Sequence, residues 1–392
     1  MIDFPAPDPA AQKLSAALSS VIREDIAGSD GSIAFARYME RCLYEPGLGY
    51  YSAGLRKFGS GGDFVTAPEV SPLFGQCIAR SCSAVLASLG GGDILEFGAG
   101  SGRLALDLLS GLERLDALPR RYLILERSAE LRQRQQETLR EHLPQLVDRV
   151  SWIDVLPGAD FRGVMLANEV LEAMAVERFQ WDGETARLFH VAFDGERFHW
   201  QLTDTQDDAT RRIAMLCADC DLPAGYISEV NAGLPAWLQA VGERLQQGLL
   251  LLIDYGYPRH EYYHSQHGSG TLMCHYRQRA HDDPFLWPGL QDITAHVDFT
   301  AVAEAAVAAG LDVSGYTTQA MFLLSCGLES LLAEFESLPE KERLMMNNQV
   351  RRLTLPAEMG ERFQVMALSR GLDDSLAENL LGFQLADLRH RL

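Results

Sequence analysis

The stretch Asp93-Ile94-Leu95-Glu96-Phe97-Gly98-Ala99-Gly100-Ser101-Gly102 decides how this chain is read. A short apolar strand carrying an acidic residue, Glu96, runs straight into a glycine-rich turn, and a helical segment over 104–109 follows at once. Gly98, Gly100 and Gly102 let the backbone turn sharply and approach a ligand that a side chain would block. A dinucleotide fingerprint, G-x-G-x-x-G, needs its third glycine one residue later, where Arg103 stands.

Outward from this turn, strand and helix signals alternate, the mark of a parallel sheet covered by helices. Strands are expected at 94–97, 122–125, 150–153, 164–167 and 249–253, with two more at 311–317 and 362–368. Residues 1–90 read as mostly helical. Ser32 is placed to cap a helix running to about Tyr44, and Ser71-Pro72 to open another towards Leu89. Between them lies a glycine-rich loop around 59–69. A block at 178–202, broken by the hairpin signals Asp182-Gly183 and Asp194-Gly195, reads as a β insertion. Helices are expected around 209–217, 235–245 and 299–309, and 255–298 reads as a long loop. Three regions result: 1–90, helical with the glycine-rich loop; a discontinuous core of 91–175 and 248–392; and an inserted hairpin and helical region, 176–247, for a substrate or partner.

The bulk numbers exclude several classes. With 392 residues, 47% hydrophobic, the chain can bury a large core. Its net charge of −20, from 34 basic and 54 acidic residues, disfavours nucleic acid and anionic membranes. The same charge suits a cationic partner, although many soluble proteins are simply acidic. Seven scattered cysteines point to a reducing compartment. The first ten residues lack the features of a signal peptide or presequence, so the expected location is cytoplasmic. Cys217 and Cys220 form a C-x-x-C with no second pair, and no metal site is assigned to them. His260-Glu261-Tyr262-Tyr263-His264 is a literal H-E-x-x-H, but Pro258 before it and Gly268 after it leave too little helix for a zinc protease.

G-x-G-x-G after an acidic residue is the usual first motif of S-adenosylmethionine (SAM) methyltransferases. Open α/β sheets bind ligands at the carboxyl ends of their strands. Glu126 ends the second strand, where an acid can accept both ribose hydroxyls of an adenosine. Asp154 ends the third, where it can accept from the adenine amino group. With Glu96, Gly98, Gly100, Gly102 and Asn168, these are the expected cofactor-binding residues; Asp63 and Thr66, in the glycine-rich loop, are candidates to close over the cofactor.

The fourth strand ends Asn168-Glu169-Val170-Leu171-Glu172. Two acids three apart share a face of a helical turn, and beside a methyl donor they suit a guanidinium acceptor. The same residues equally fit an ordinary acidic helix start. A second cluster, 292–299, offers His296 and Asp298 to position a substrate or act as a base, although Asp298 also fits as a plain helix cap.

Several segments together resemble the MidA-like methyltransferases: Gly62-Asp63-Phe64-Val65-Thr66-Ala67-Pro68-Glu69, Thr271-Leu272-Met273-Cys274-His275-Tyr276-Arg277, 292–299 and Met359-Gly360-Glu361-Arg362-Phe363. The resemblance spans about 38–368. It implies a Rossmann-like class I methyltransferase sheet of seven strands, the last antiparallel, with SAM as cofactor and no metal. It also implies arginine of a protein as acceptor, since the family includes a mitochondrial complex I assembly factor that methylates arginine. The post-fourth-strand motif departs from its relatives, reading Glu172-Ala173-Met174-Ala175-Val176 where Asp followed by Leu-Pro-Val is frequent. The expected function is therefore a SAM-dependent protein arginine methyltransferase, bacterial in character. A SAM-binding assembly or scaffold protein with little turnover and a small-molecule methyltransferase stand as alternatives. The oligomeric state is open, a homodimer being one option.

Overall fold

The computed structural model describes residues 4–53, 66–335, 337 and 339–392. Strands β1 (Asp93–Phe97), β2 (Tyr122–Leu125), β3 (Val150–Ile153), β4 (Phe161–Asn168), β5 (Leu245–Tyr257), β6 (Asp312–Thr318) and β7 (Phe363–Arg370) share one sheet in the order β3-β2-β1-β4-β5-β7-β6. β1 to β5 run parallel, and β7 runs antiparallel to both β5 and β6. This is the Rossmann-like class I methyltransferase sheet, last strand antiparallel, that the sequence led us to expect. A short further strand, Val297–Asp298, pairs with the end of β5.

Both faces of the sheet are covered, which is why its central strands are continuously apolar rather than alternating. Leu249, Leu251 and Ile253 of β5 share a core with helices α1 (Pro72–Ser88) and α2 (Arg103–Arg114). Helix α3 (Ala129–His142) follows β2. On the opposite face Leu250 and Leu252 pack with α4 (Leu234–Gly242) and α5 (Phe299–Ala308). Helix α1 begins as expected, with Pro72 in its first turn and the Ser71 hydroxyl accepting from the Leu73 amide.

Beside this sheet the chain forms a second one with its own core. Glu177–Trp181, Ala186–Phe193, Phe198–Leu202 and Ile227–Val230 form an antiparallel sheet, and Asp182 and Asp194 stabilise its turns by accepting two backbone N–H bonds each. Ser32–Ala34 joins this sheet against residues 190–192. Ser32 is therefore a strand residue, bonded to the His190 ring, and the helix Phe35–Tyr44 starts without a side-chain cap. Residues 255–298, expected to be loop, contain a small sheet of Met273–Tyr276, Arg279–His281 and Asp292–Thr294. Its strands are too short for periodicity to reveal them.

Packing divides the chain differently from the boundaries at 90 and 247. The helices Pro9–Ala27 and Phe35–Tyr44 share a core with the insertion and the small sheet, through Leu18, Tyr38, Val191, Phe198 and Ile293. Helix α1 belongs instead to the helix layer of the main sheet, and β5 already begins at Leu245. Among the described residues no helix is long and apolar enough to cross a membrane.

Candidate active site

Strand order reverses between β1 and β4, so the chain leaves the carboxyl ends of these two strands in opposite directions and opens a crevice there. The glycine turn forms one wall. Gly98 and Gly100 hold φ of +62° and +52°, in the left-handed region, and both line a cavity of about 530 Å³. That volume suits a nucleoside-sized ligand. Helix α2 starts at Arg103 directly behind the turn, and the free amides at such an end favour electron-rich groups. Gly102 does not line the cavity. A side chain there would approach the Gln135 backbone to 3.1 Å, so this glycine serves the packing of α3 behind the turn.

Glu126 reaches the cavity from the end of β2 with its carboxylate held in place. Oε1 accepts from the Ser128 amide at 2.9 Å, and Oε2 accepts from Gln135 Nε2 at 3.1 Å. Each oxygen keeps a lone pair, which fits a vicinal diol, and burial raises the carboxyl's pKa. Glu96 also lines the cavity; Tyr122 donates to it at 2.7 Å, and burial pushes its pKa up to about 7. Asn168 and Thr66 line the cavity as well, whereas Asp63 lies outside the described residues.

Asp154 does not line the cavity. Its side chain is 76% exposed and pairs with Arg132. The same guanidinium donates to the carbonyls of Glu126 and Ile153, so Arg132 spans the strand ends and turns the acid outward.

The opposite wall carries Glu169 and Glu172. They share the cavity, but not on a helical turn as expected: residues 169–174 contain no helix, and Glu169 adopts φ +54°. The turn is instead tied to the end of β5. Glu169 N–H donates to the Ile253 carbonyl at 2.8 Å, and the amides of Val170, Leu171 and Glu172 donate to Asp254 Oδ2 at 3.1, 2.8 and 3.3 Å. Glu172 is 4% exposed, and among the described residues its Oε2 has no hydrogen-bond partner. Burial, followed by the negative charge of Asp254, raises the pKa of both Glu169 and Glu172.

Two further acids, neither of them expected in the site, stand behind this wall without lining the cavity. Asp254 is buried at the end of β5, and Asp292 arrives from the small sheet, accepting the Tyr51 hydroxyl at 3.0 Å on each oxygen. Asp254 had a signal, as an acid ending an apolar strand. Asp292 could be placed here only by the long connection between sheets. Tyr44 and Tyr51 stack with ring centres 5.5 Å apart and line the cavity; the Tyr44 hydroxyl donates to the Ala173 carbonyl.

His296 and Asp298 lie elsewhere. They line a separate cavity of about 110 Å³ with Glu229 and Arg259. Asp298 caps α5, accepting from the Ala301 amide at 3.1 Å, and pairs with Arg259 at 3.3 Å. The His296 ring packs edge-on against Tyr255 and Tyr257, and burial pushes its pKa down to about 4. Neither residue lines the cavity that Glu169 and Glu172 share. The H-E-x-x-H stretch holds only the short helix Arg259–Tyr262, and among the described residues no group of three or more His, Cys, Asp or Glu side chains is arranged to hold a metal.

Comparison with known proteins gives independent findings. A sequence profile of S-adenosyl-L-methionine-dependent methyltransferases matches residues 77–317. The protein arginine methyltransferase NDUFAF7 homolog, mitochondrial, of Drosophila melanogaster is 30% identical, covering 88% of this chain and 83% of its own length. The Danio rerio protein of the same name is 28% identical over 86% of this chain and 83% of its own. A Burkholderia thailandensis protein crystallised with S-adenosyl-homocysteine superposes with a TM-score of 0.94 at 44% identity, covering 100% of both chains.

Proposed function

We propose that this chain, which belongs to the MidA-like family of S-adenosyl-L-methionine-dependent methyltransferases, methylates an arginine side chain of a protein. The observation that carries the acceptor is the acidic wall: Glu169 and Glu172 face the cavity beside the glycine turn, backed by Asp254 and Asp292. Buried acids this close raise one another's pKa and hold protons, and a bound cation reverses that penalty. Neutral hydroxyl acceptors gain nothing from such a wall. A guanidinium does, because its planar fork of donors matches carboxylate geometry. The relatives named as protein arginine methyltransferases support the same choice.

Bound SAM supplies a methyl group on a sulfonium sulfur. Glu126 and the turn at Gly98 and Gly100 would hold its nucleoside end, in the cavity that the Glu169–Glu172 wall also lines. There the two carboxylates accept the guanidinium N–H bonds and localise its charge, leaving one nitrogen's lone pair to attack the methyl carbon in line. As the new C–N bond forms, the C–S bond breaks, its electron pair stays on sulfur, and S-adenosylhomocysteine results. The proton lost by the acceptor nitrogen passes to one of these acids, whose raised pKa suits it to receive it. Tyr44 and Tyr51 flank the cavity and limit water access.

The test is transfer of labelled methyl groups from SAM into acid-precipitable protein, followed by hydrolysis and amino-acid analysis. Label in methylarginine is expected, and Glu172→Gln is expected to lower transfer at least about 100-fold while SAM binding holds. Label confined to small molecules, or full transfer by Glu172→Gln, would sink the reading.

A further inference from the structure

We infer that Asp254 is the positioning residue of this site, fixing the turn that carries Glu169 and Glu172 and supplying the resident negative charge those acids face. The inference rests on the reading of Glu169 and Glu172 as the acceptor's partners.

The turn after β4 needs an anchor. It contains no helix, and it forces Glu169 into a left-handed backbone conformation that a side chain disfavours. Three consecutive amides converge on Asp254 Oδ2, while Oδ1 accepts from the Tyr255 amide at 3.0 Å. A single carboxylate on the neighbouring strand thus does for this turn what capping does for a helix end.

The same contacts sort the charges. Burial raises the Asp254 pKa to about 7, and four backbone N–H groups pull it back towards the ionised form. Glu169 is bonded by the Asn168 amide, and Glu172 keeps Oε2 unpartnered among the described residues. Three carboxyls in one buried space cannot all ionise, so the one with the most hydrogen-bond donors, Asp254, holds the charge while its neighbours retain protons until a cation arrives. Around the three stand Asp292 and the phenols of Tyr44, Tyr51 and Tyr255; among the described residues Arg103 and Arg127 are the cations on the cavity wall.

Asp254→Asn separates the two parts of this role from a merely structural one. The amide retains an oxygen for the three N–H groups, but presents its NH₂ to the Tyr255 amide and removes the charge. With glutamate carboxyls labelled with ¹³C and assigned through Glu169→Gln and Glu172→Gln, NMR titration of ligand-free protein should show both remaining acids ionising lower by about one pH unit or more. Hydrogen exchange at the amides of residues 170–172 should accelerate by about tenfold or more. Unmoved glutamate titrations or unchanged exchange overturn the inference. If Asp254→Asn does not fold, wild-type protein with labelled aspartate and glutamate carboxyls decides: Asp254, assigned through its contacts with the amides of residues 170–172, must ionise at lower pH than Glu169 and Glu172, and an Asp254 that ionises after either one overturns the inference.

No acceptor enters these readouts. Full transfer by Glu172→Gln would overturn the acceptor reading and leave them standing, whereas unmoved titrations alongside lost transfer would overturn Asp254 alone.

Discussion

Replacing Gln135 by methionine tests the cofactor cradle at its centre. Gln135 is fully buried on α3 and uses every polar group it has. Its Nε2 donates to the Gly100 carbonyl at 3.0 Å and to Glu126 Oε2 at 3.1 Å, while Oε1 accepts from Trp152 Nε1 at 2.8 Å. Gln135→Met keeps the length and volume of the side chain and removes all three bonds. A neutral bond contributes about 1 kcal/mol net and a bond to a carboxylate about 1.5–3 kcal/mol, so the total loss from two neutral bonds and one to a carboxylate is about 3.5–5 kcal/mol. With an unfolding entropy of about 2.1 cal/mol/K per residue, 392 residues give about 0.8 kcal/mol/K, and Tm should fall by about 4–6 °C. Calorimetric titration with SAM should show Kd raised about tenfold, equivalent to about 1.4 kcal/mol, because Glu126 loses the bond that orients Oε2 and the turn loses its tie at Gly100. A variant with unchanged Tm and unchanged Kd would refute the reasoning. A lowered Tm with unchanged Kd would confine Gln135 to folding and detach it from the cofactor.

Burial holds Glu96 up to about 7, above its ordinary 4.5, so the folded state binds this proton more tightly than the unfolded one and stability falls as pH climbs from 4.5 through 7. Glu96→Gln should flatten that decline, giving a higher Tm than wild type at about pH 8 and no gain at about pH 5; parallel melting curves across this range would contradict it. His296→Ala should leave SAM binding and methyl transfer within about threefold of wild type, since its ring lies in the separate small cavity. A larger loss of transfer with intact SAM binding would return His296 to the reaction. Gly163 has φ +143° and a side chain there would meet the Asp93 carbonyl at 1.9 Å, so Gly163→Ala should cost at least about 3 kcal/mol. A melting temperature matching wild type would show that the strands can separate to admit it.

The fold was largely legible because its signals are local. Apolar runs, the glycine turn and Ser71-Pro72 each act within a few residues, and all reappear in the structure as β1, β5, the cavity wall and the start of α1. The pair Glu169 and Glu172 was legible for the same reason, as acids closing a strand. Errors arose where distant chain decides. Ser32 became a strand residue because residues 190–192 offered it backbone partners, and Arg132 drew Asp154 away from the cavity. Of the 292–299 segment, the histidine drew attention, yet it is Asp292 that stands behind the acidic wall, through Tyr51.

By itself, then, the sequence determined the alternation of strands and helices, the glycine turn and the two acids after the fourth strand, since period, backbone freedom and strand ends are properties of neighbours in the chain. Only the tertiary structure decided which acids share one buried space. Asp254, Asp292, Tyr51 and Gln135 come from separate elements. Their protonation and geometry follow from exclusion of water and from one another's charge, and neither exists until those elements pack.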